Sequence, residues 1–110
     1  MRVVLVDDDS ERLALLDRAM CAAGHQVVGK LDPSEDLIAA VDSLLPDIVL
    51  IDVDNPSRDT LESLGQISRD RPRPIVLFAN ASDPDTIRRA IAAGVSAYVV
   101  DGMSPERLAP

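Results

Sequence analysis

The chain has 110 residues, 46% of them hydrophobic and 27% charged, with a net charge of −8. Such a composition is globular rather than disordered, and the length allows one domain with one core, burying roughly two-thirds of the unfolded surface without metal or disulfide staples. The acidic balance disfavours direct contact with a nucleic-acid backbone or an anionic lipid surface, since both repel negative charge.

Met1 runs into an apolar stretch, Val3–Val6, with no basic leader and no long apolar segment. Neither a signal peptide nor a membrane span is expected, and a cytoplasmic location is the default. This first predicted strand ends in Asp7-Asp8-Asp9. Leu13, Leu16, Met20 and Ala23 then recur at helical spacing, and Gly24 is placed to stop that helix as a left-handed residue. Cys21, the single cysteine, lies on this helix; it has no internal disulfide partner and is expected to pack as a small hydrophobe. His25, the sole histidine, stands at the following turn with no triad or metal spacing around it and reads as a surface turn residue.

Gln26–Leu31 is the second strand. Asp32-Pro33-Ser34-Glu35 predicts an N-cap aspartate with proline at the first helical position, opening a helix whose apolar face is Leu37, Ile38, Val41 and Leu44. Ile48–Ile51 is the third strand and leads into Asp52-Val53-Asp54. Leu61, Leu64 and Ile67 mark the third helix, after which Arg69, Arg71 and Arg73 are expected in a solvated loop. The fourth strand is Ile75–Phe78. Asp83-Pro84-Asp85 opens a fourth helix with Ile87, Ala90 and Ile91 on its apolar face, Arg88 and Arg89 on its exposed face, and Gly94 at its end. Ala97–Val100 is the fifth strand, and Ser104-Pro105-Glu106 begins a fifth helix that Pro110 cuts short.

Short Val- and Ile-rich runs alternating with helices predict a doubly wound, five-strand parallel sheet with right-handed crossovers and helices on both faces. With the fifth helix truncated, the sheet over the first and fifth strands lacks cover. The chain is therefore expected to be one domain, residues 1–110, cut from a longer protein, and to self-associate through that face.

Ligands of such sheets bind beyond the carboxyl ends of the strands, where strand order reverses. In the order 2-1-3-4-5 the first and third strands flank that point, so Asp7, Asp8, Asp52 and Asp54 converge on one crevice. Clustered carboxylates repel one another, and a small hard cation relieves the repulsion; oxygen ligands favour Mg²⁺.

The Val-Asp-Asp run after the first strand, Asp52-Val53-Asp54-Asn55-Pro56 after the third, and Ala93 to Val100 into the fifth resemble the CheY-like receiver domain of two-component response regulators, a flavodoxin-like fold. The resemblance covers the chain up to the fifth helix. It implies that Asp52 accepts a phosphoryl group from a histidine kinase. It also implies that Mg²⁺ is held by Asp7, Asp8, Asp52 and the backbone carbonyl of Asp54. Tyr98 matches the aromatic that couples phosphorylation to output, and the helix carrying Arg88 and Arg89 matches the usual output surface.

Two positions depart from the family. Ala79 stands where a Thr or Ser usually binds the phosphoryl group, and Asp101, followed by Gly102, stands where Lys-Pro is usual. Arg58, Asn80 and Ser82 are the candidates to substitute, and the Asp101–Gly102 peptide is expected to be trans, since cis without proline costs about 2.5–4 kcal/mol. These departures, with Val95 to Gly102 and Asn55 to Thr60, look most like the nitrate-assimilation antitermination regulators of the NasT type, whose receiver precedes an RNA-binding ANTAR domain and answers to a sequestering sensor protein. Two alternatives stay open: an interaction module that needs no phosphorylation, and a haloacid-dehalogenase-type phosphatase using Asp52 and Asp54. The second lacks a downstream lysine, and its motif normally opens a fold, so the chain is not expected to be an enzyme.

Overall fold

Strands and helices alternate along residues 1–100, the part of the chain that the computed structural model describes. They run β1 (Arg2–Asp7), α1 (Ser10–Ala22), β2 (Gln26–Leu31), α2 (Leu37–Leu44), β3 (Ile48–Asp52), α3 (Arg58–Asp70), β4 (Ile75–Ala79), α4 (Pro84–Ala92) and β5 (Ala97–Val100). The strands pair in parallel in the order β2-β1-β3-β4-β5. The doubly wound parallel architecture is the expected one. Residues 101–110, with the expected fifth helix, Asp101 and the Asp101–Gly102 peptide, lie outside the described residues.

Alternate residues of each central strand face opposite layers. Val4, Val6, Val49, Ile51, Ile75 and Leu77 pack against Leu37 and Val41 of α2, Leu61, Leu64 and Ile67 of α3, and Ala90 of α4. On the other face Val3, Leu5, Leu50 and Phe78 pack with Leu16 and Met20 of α1. With both faces covered, the inner strands must be apolar throughout, which is why Asp7 and Asp52 stand out as buried charges at their ends.

Several local expectations are corrected. The cap of α2 is Asp36, whose side chain accepts from Ala39 N, rather than Asp32. Asp32 closes a turn of its own: its carboxylate accepts from the amide and hydroxyl of Ser34 at 2.9 and 2.7 Å, and its amide donates to Glu35 Oε2 at 2.7 Å. Cys21 is exposed, because the buried stripe of α1 is narrow and centres on Leu16 and Met20. Arg69 lies within α3 and is exposed, and the two arginines after it are half-buried and partnered: Arg71 pairs with Asp42, and Arg73 donates to the Pro46 carbonyl at 2.8 Å. Gly24 and Gly94 do adopt the left-handed region, at φ +90° and +98°. At Gly94 a Cβ would also meet the Ser68 side chain at 2.6 Å.

Candidate functional site

β1 and β3 are neighbours in register, with Asp7 opposite Asp52. Both side chains end their strands in the interior, at 2% and 1% exposure. Asp8 and Asp54, just beyond the strand ends, are exposed. The structure thus brings the sequence-predicted acids to one end of the sheet, as two buried carboxylates with two at the rim. Val53 between Asp52 and Asp54 is buried and donates its amide to the Phe78 carbonyl at 3.0 Å, which ties the third-strand loop to β4.

A residue that the sequence reading missed sits among these acids. Arg12, in the first turn of α1, donates from Nε to Asp7 Oδ2 at 2.6 Å and from Nη2 to Asp7 Oδ1 at 2.7 Å. The same guanidinium lies 3.5 Å from Asp52 Oδ2 and 3.7 Å from Asp8 Oδ1. The bidentate fork onto a buried carboxylate is the strong form of ion pair. The hydrogen bond to Asp7, then the charges of Asp52 and Asp7, hold the guanidinium protonated far above its ordinary range, against the opposing effect of burial. Asp9 positions the helix that carries it: as N-cap it accepts from Glu11 N at 3.0 Å and Arg12 N at 3.1 Å. One sequence signal was available. An arginine in the first turn of a helix opposes the helix dipole, so its position there calls for nearby anions.

The β4 side of the site is built differently. Ala79 is fully buried and offers no hydroxyl. Beyond it the backbone amides of Asn80 and Ala81 both donate to the Asp54 carbonyl at 3.0 Å, and Asn80 Nδ2 donates to Asp54 Oδ1 at 2.9 Å. The hydroxyl of Tyr98 donates to the Ala81 carbonyl at 2.6 Å, and burial pushes its pKa up, with the charge of Asp83 adding to the effect. Tyr98 also packs against the core on the α2–α4 face. Of the candidate substitutes, Asn80 reaches the rim acid Asp54 and Ser82 is exposed. Arg58 does not join the acids: it is exposed and pairs with Glu62 at 3.1 Å on the α3 surface. Arg88 and Arg89 are exposed on α4, where both pair with Asp85.

An open cavity of about 740 Å³ adjoins the acids, lined in part by Asp8, Asp32, Asp54 and Asp59. Hard carboxylate oxygens from two strands suit Mg²⁺ in kind. Among the described residues, however, no three such side chains stand together as a preformed ligand set. The both-oxygen contact of Asp7 with Arg12 and the two amides on the Asp54 carbonyl account for two of the four expected ligands.

The Response regulator receiver domain family matches residues 3–109. The chain is 29% identical over 109 residues to the transcriptional regulatory protein PdtaR of Mycobacterium tuberculosis, covering 99% of this chain and 53% of that protein. It is 34% identical over 116 residues to the positive alginate biosynthesis regulatory protein of Pseudomonas aeruginosa, covering 99% and 44%. It thus spans about half the length of these relatives. The signal receiver domain of the response regulator NarL from Mycobacterium tuberculosis superposes with a TM-score of 0.80 at 23% identity, over 96% of this chain and 86% of that one. No helix of the described residues is long and apolar enough to cross a membrane.

Proposed function

The chain belongs to the response regulator receiver family, and from that premise we propose an atypical receiver in which Asp52 is a slow phosphoacceptor and a binding partner supplies most of the control. The observation that carries this reading is the register of Asp7 against Asp52 at the buried end of adjacent strands. In the reaction a carboxylate oxygen of Asp52 attacks the phosphorus of the donor, the bond to the donor's leaving group breaks, and an acyl phosphate forms. Asp7, Asp8 and Asp52 would hold Mg²⁺, which supplies charge neutralisation for the incoming phosphoryl group, while the Asp54 carbonyl, the family's remaining ligand, accepts the amides of Asn80 and Ala81 here. Buried Ala79 cannot bind the phosphoryl oxygens, and Asp101 brings negative charge where the family has a lysine.

The partner is a histidine kinase or a sequestering sensor protein, and the output is transcription antitermination through a domain outside this chain. The likeness to a transcriptional regulatory protein supports a transcriptional output, and the runs around Asn55 and Val95 support the antitermination subgroup. A second reading, an interaction module that needs no phosphorylation, is favoured by the closed pairing of Arg12 with Asp7.

Intact-mass measurement after acetyl phosphate treatment with Mg²⁺, with Asp52→Asn as control, separates the two. Slow, partial modification that disappears in the control supports the atypical receiver, and Ala79→Thr with Asp101→Lys should then increase it. No modification in any variant selects the interaction module. Rapid stoichiometric modification would restore an ordinary phosphorylated switch.

A further inference from the structure

Arg12 is held where a cation shared by the pocket acids belongs. One guanidinium lies within 3.7 Å of carboxylate oxygens from Asp7, Asp8 and Asp52. Two of those carboxylates are buried, with side-chain exposures of 0% and 2%, while Arg12 itself is 29% exposed and has a path to solvent. Asp7 Oδ1 already accepts from Asp9 N at 2.9 Å as well as from Arg12. A magnesium ion needs oxygens at about 2.0–2.1 Å. An ion bound there would compete for Asp7 with a guanidinium whose nitrogens stand 2.6 and 2.7 Å from the same two oxygens. The placement is also costly for the helix, since the first turn repels a cation. The acids offset that repulsion and hold Arg12 in place.

We propose that Arg12 is the resident counterion of the site, and that a divalent cation enters by displacing it rather than by filling a vacant cradle. Binding is then an exchange. The guanidinium swings outward as the ion arrives, so Arg12 sets the metal affinity and couples metal binding to the first turn of α1. This inference rests on the receiver reading of Asp7, Asp8 and Asp52 as the metal ligands. It adds that the chain supplies its own competitor for them.

The test is a calorimetric MgCl₂ titration of the wild-type chain, Arg12→Met and Arg12→Lys, together with nitrogen-15 NMR of the Arg12 Nε–H in the wild type. Arg12→Met should bind Mg²⁺ about tenfold tighter or more, the factor expected when a charge-assisted pair no longer has to be broken. Arg12→Lys, which keeps the charge but loses the fork, should fall between. In the wild type the Nε–H should lose its protection from solvent exchange at the Mg²⁺ concentration that half-saturates the site. That last measurement needs no variant, so it holds even where Arg12→Met fails to fold. Equal or weaker Mg²⁺ affinity in a folded Arg12→Met, or an Nε–H unchanged at metal saturation, would overturn the exchange while leaving the receiver reading intact. Absence of Mg²⁺ binding in wild type and variants alike would overturn the metal half of that reading together with this inference.

Discussion

The two halves of the site meet at Asp54 but are held by different forces. On the β1–β3 side, buried carboxylates are secured by an ion pair within the site itself, through Arg12 on Asp7 and close to Asp52. On the β4 side, Ala79, Asn80, Ala81 and Tyr98 form a neutral wall, joined through backbone carbonyls and one amide side chain. A buried ion pair contributes little net stability while intact, yet removing one partner is expensive. A neutral hydrogen bond contributes about 0.5–1.5 kcal/mol and is lost at about that cost. The halves should therefore respond very differently to the loss of a single side chain. Charge introduced at Asp52 also has no hydroxyl at Ala79 through which to pull on β4, and the Asp54 carbonyl, held by the Asn80 and Ala81 amides, is one link from its loop to the β4 loop.

The largest expected effect is on the charged half. Arg12→Met removes the guanidinium from two buried carboxylates, and by the cost of breaking a buried pair it should lower stability by about 3–5 kcal/mol at neutral pH without Mg²⁺. Urea unfolding measures this directly. Adding Asp52→Asn should return part of the loss, because one of the two facing charges is then gone, and the non-additivity should be on the order of 1–3 kcal/mol. A loss below about 0.5 kcal/mol, the range of ordinary surface substitutions, would erase the contrast between the halves.

The neutral half should show a smaller effect with a distinct pH signature. Tyr98→Phe keeps the packing and removes the 2.6 Å bond to the Ala81 carbonyl, so it should cost about 1 kcal/mol. The folded protein holds the Tyr98 proton more tightly than the unfolded chain, whose value is the ordinary 10.0. The stability from this shift is fully present below pH 10 and is lost as the pH rises toward the folded value. Wild type and Tyr98→Phe should accordingly converge in stability as the pH climbs above that point. A constant gap across that range would mean the hydroxyl does not titrate in the folded state as its burial implies.

Much of this was legible in the sequence, and the failures have physical reasons. Strand positions followed from Val- and Ile-rich runs, because strands buried on both faces admit little else. Asp83 was legible as the α4 cap, and its side chain accepts from Thr86 N at 3.0 Å. Asp32 and Asp36 are both plausible caps, and only the local turn that engages Asp32 decides between them. Cys21 follows Met20 by about 100° around the helix, enough to leave a narrow stripe. Arg12 was missed because apolar periodicity assigns every charged helix residue to solvent. Its partner Asp7 is near in sequence, but Asp52 reaches it only through the β1–β3 pairing.

The smallest expected effect sharpens the comparison most, because it acts at the seam. Asn80 is exposed, and its side chain links the β4 loop to Asp54 by donating from Nδ2 to Oδ1 at 2.9 Å. The two backbone amides on the Asp54 carbonyl do not depend on that side chain and should survive its removal. Asn80→Ala should therefore cost only a few tenths of a kcal/mol, since water replaces an exposed partner readily. Its larger consequence should be in coupling. If Asp54 is the joint between the halves, Mg²⁺ binding in the wild type should shift the amide resonances of Ala81 and Tyr98, and Asn80→Ala should weaken those shifts while leaving those of Asp7 and Asp8 in place. Undiminished shifts at Ala81 and Tyr98 would mean that the backbone bonds alone carry the connection. Asn80 would then be a surface contact rather than a link, and the two halves would be joined by main chain only.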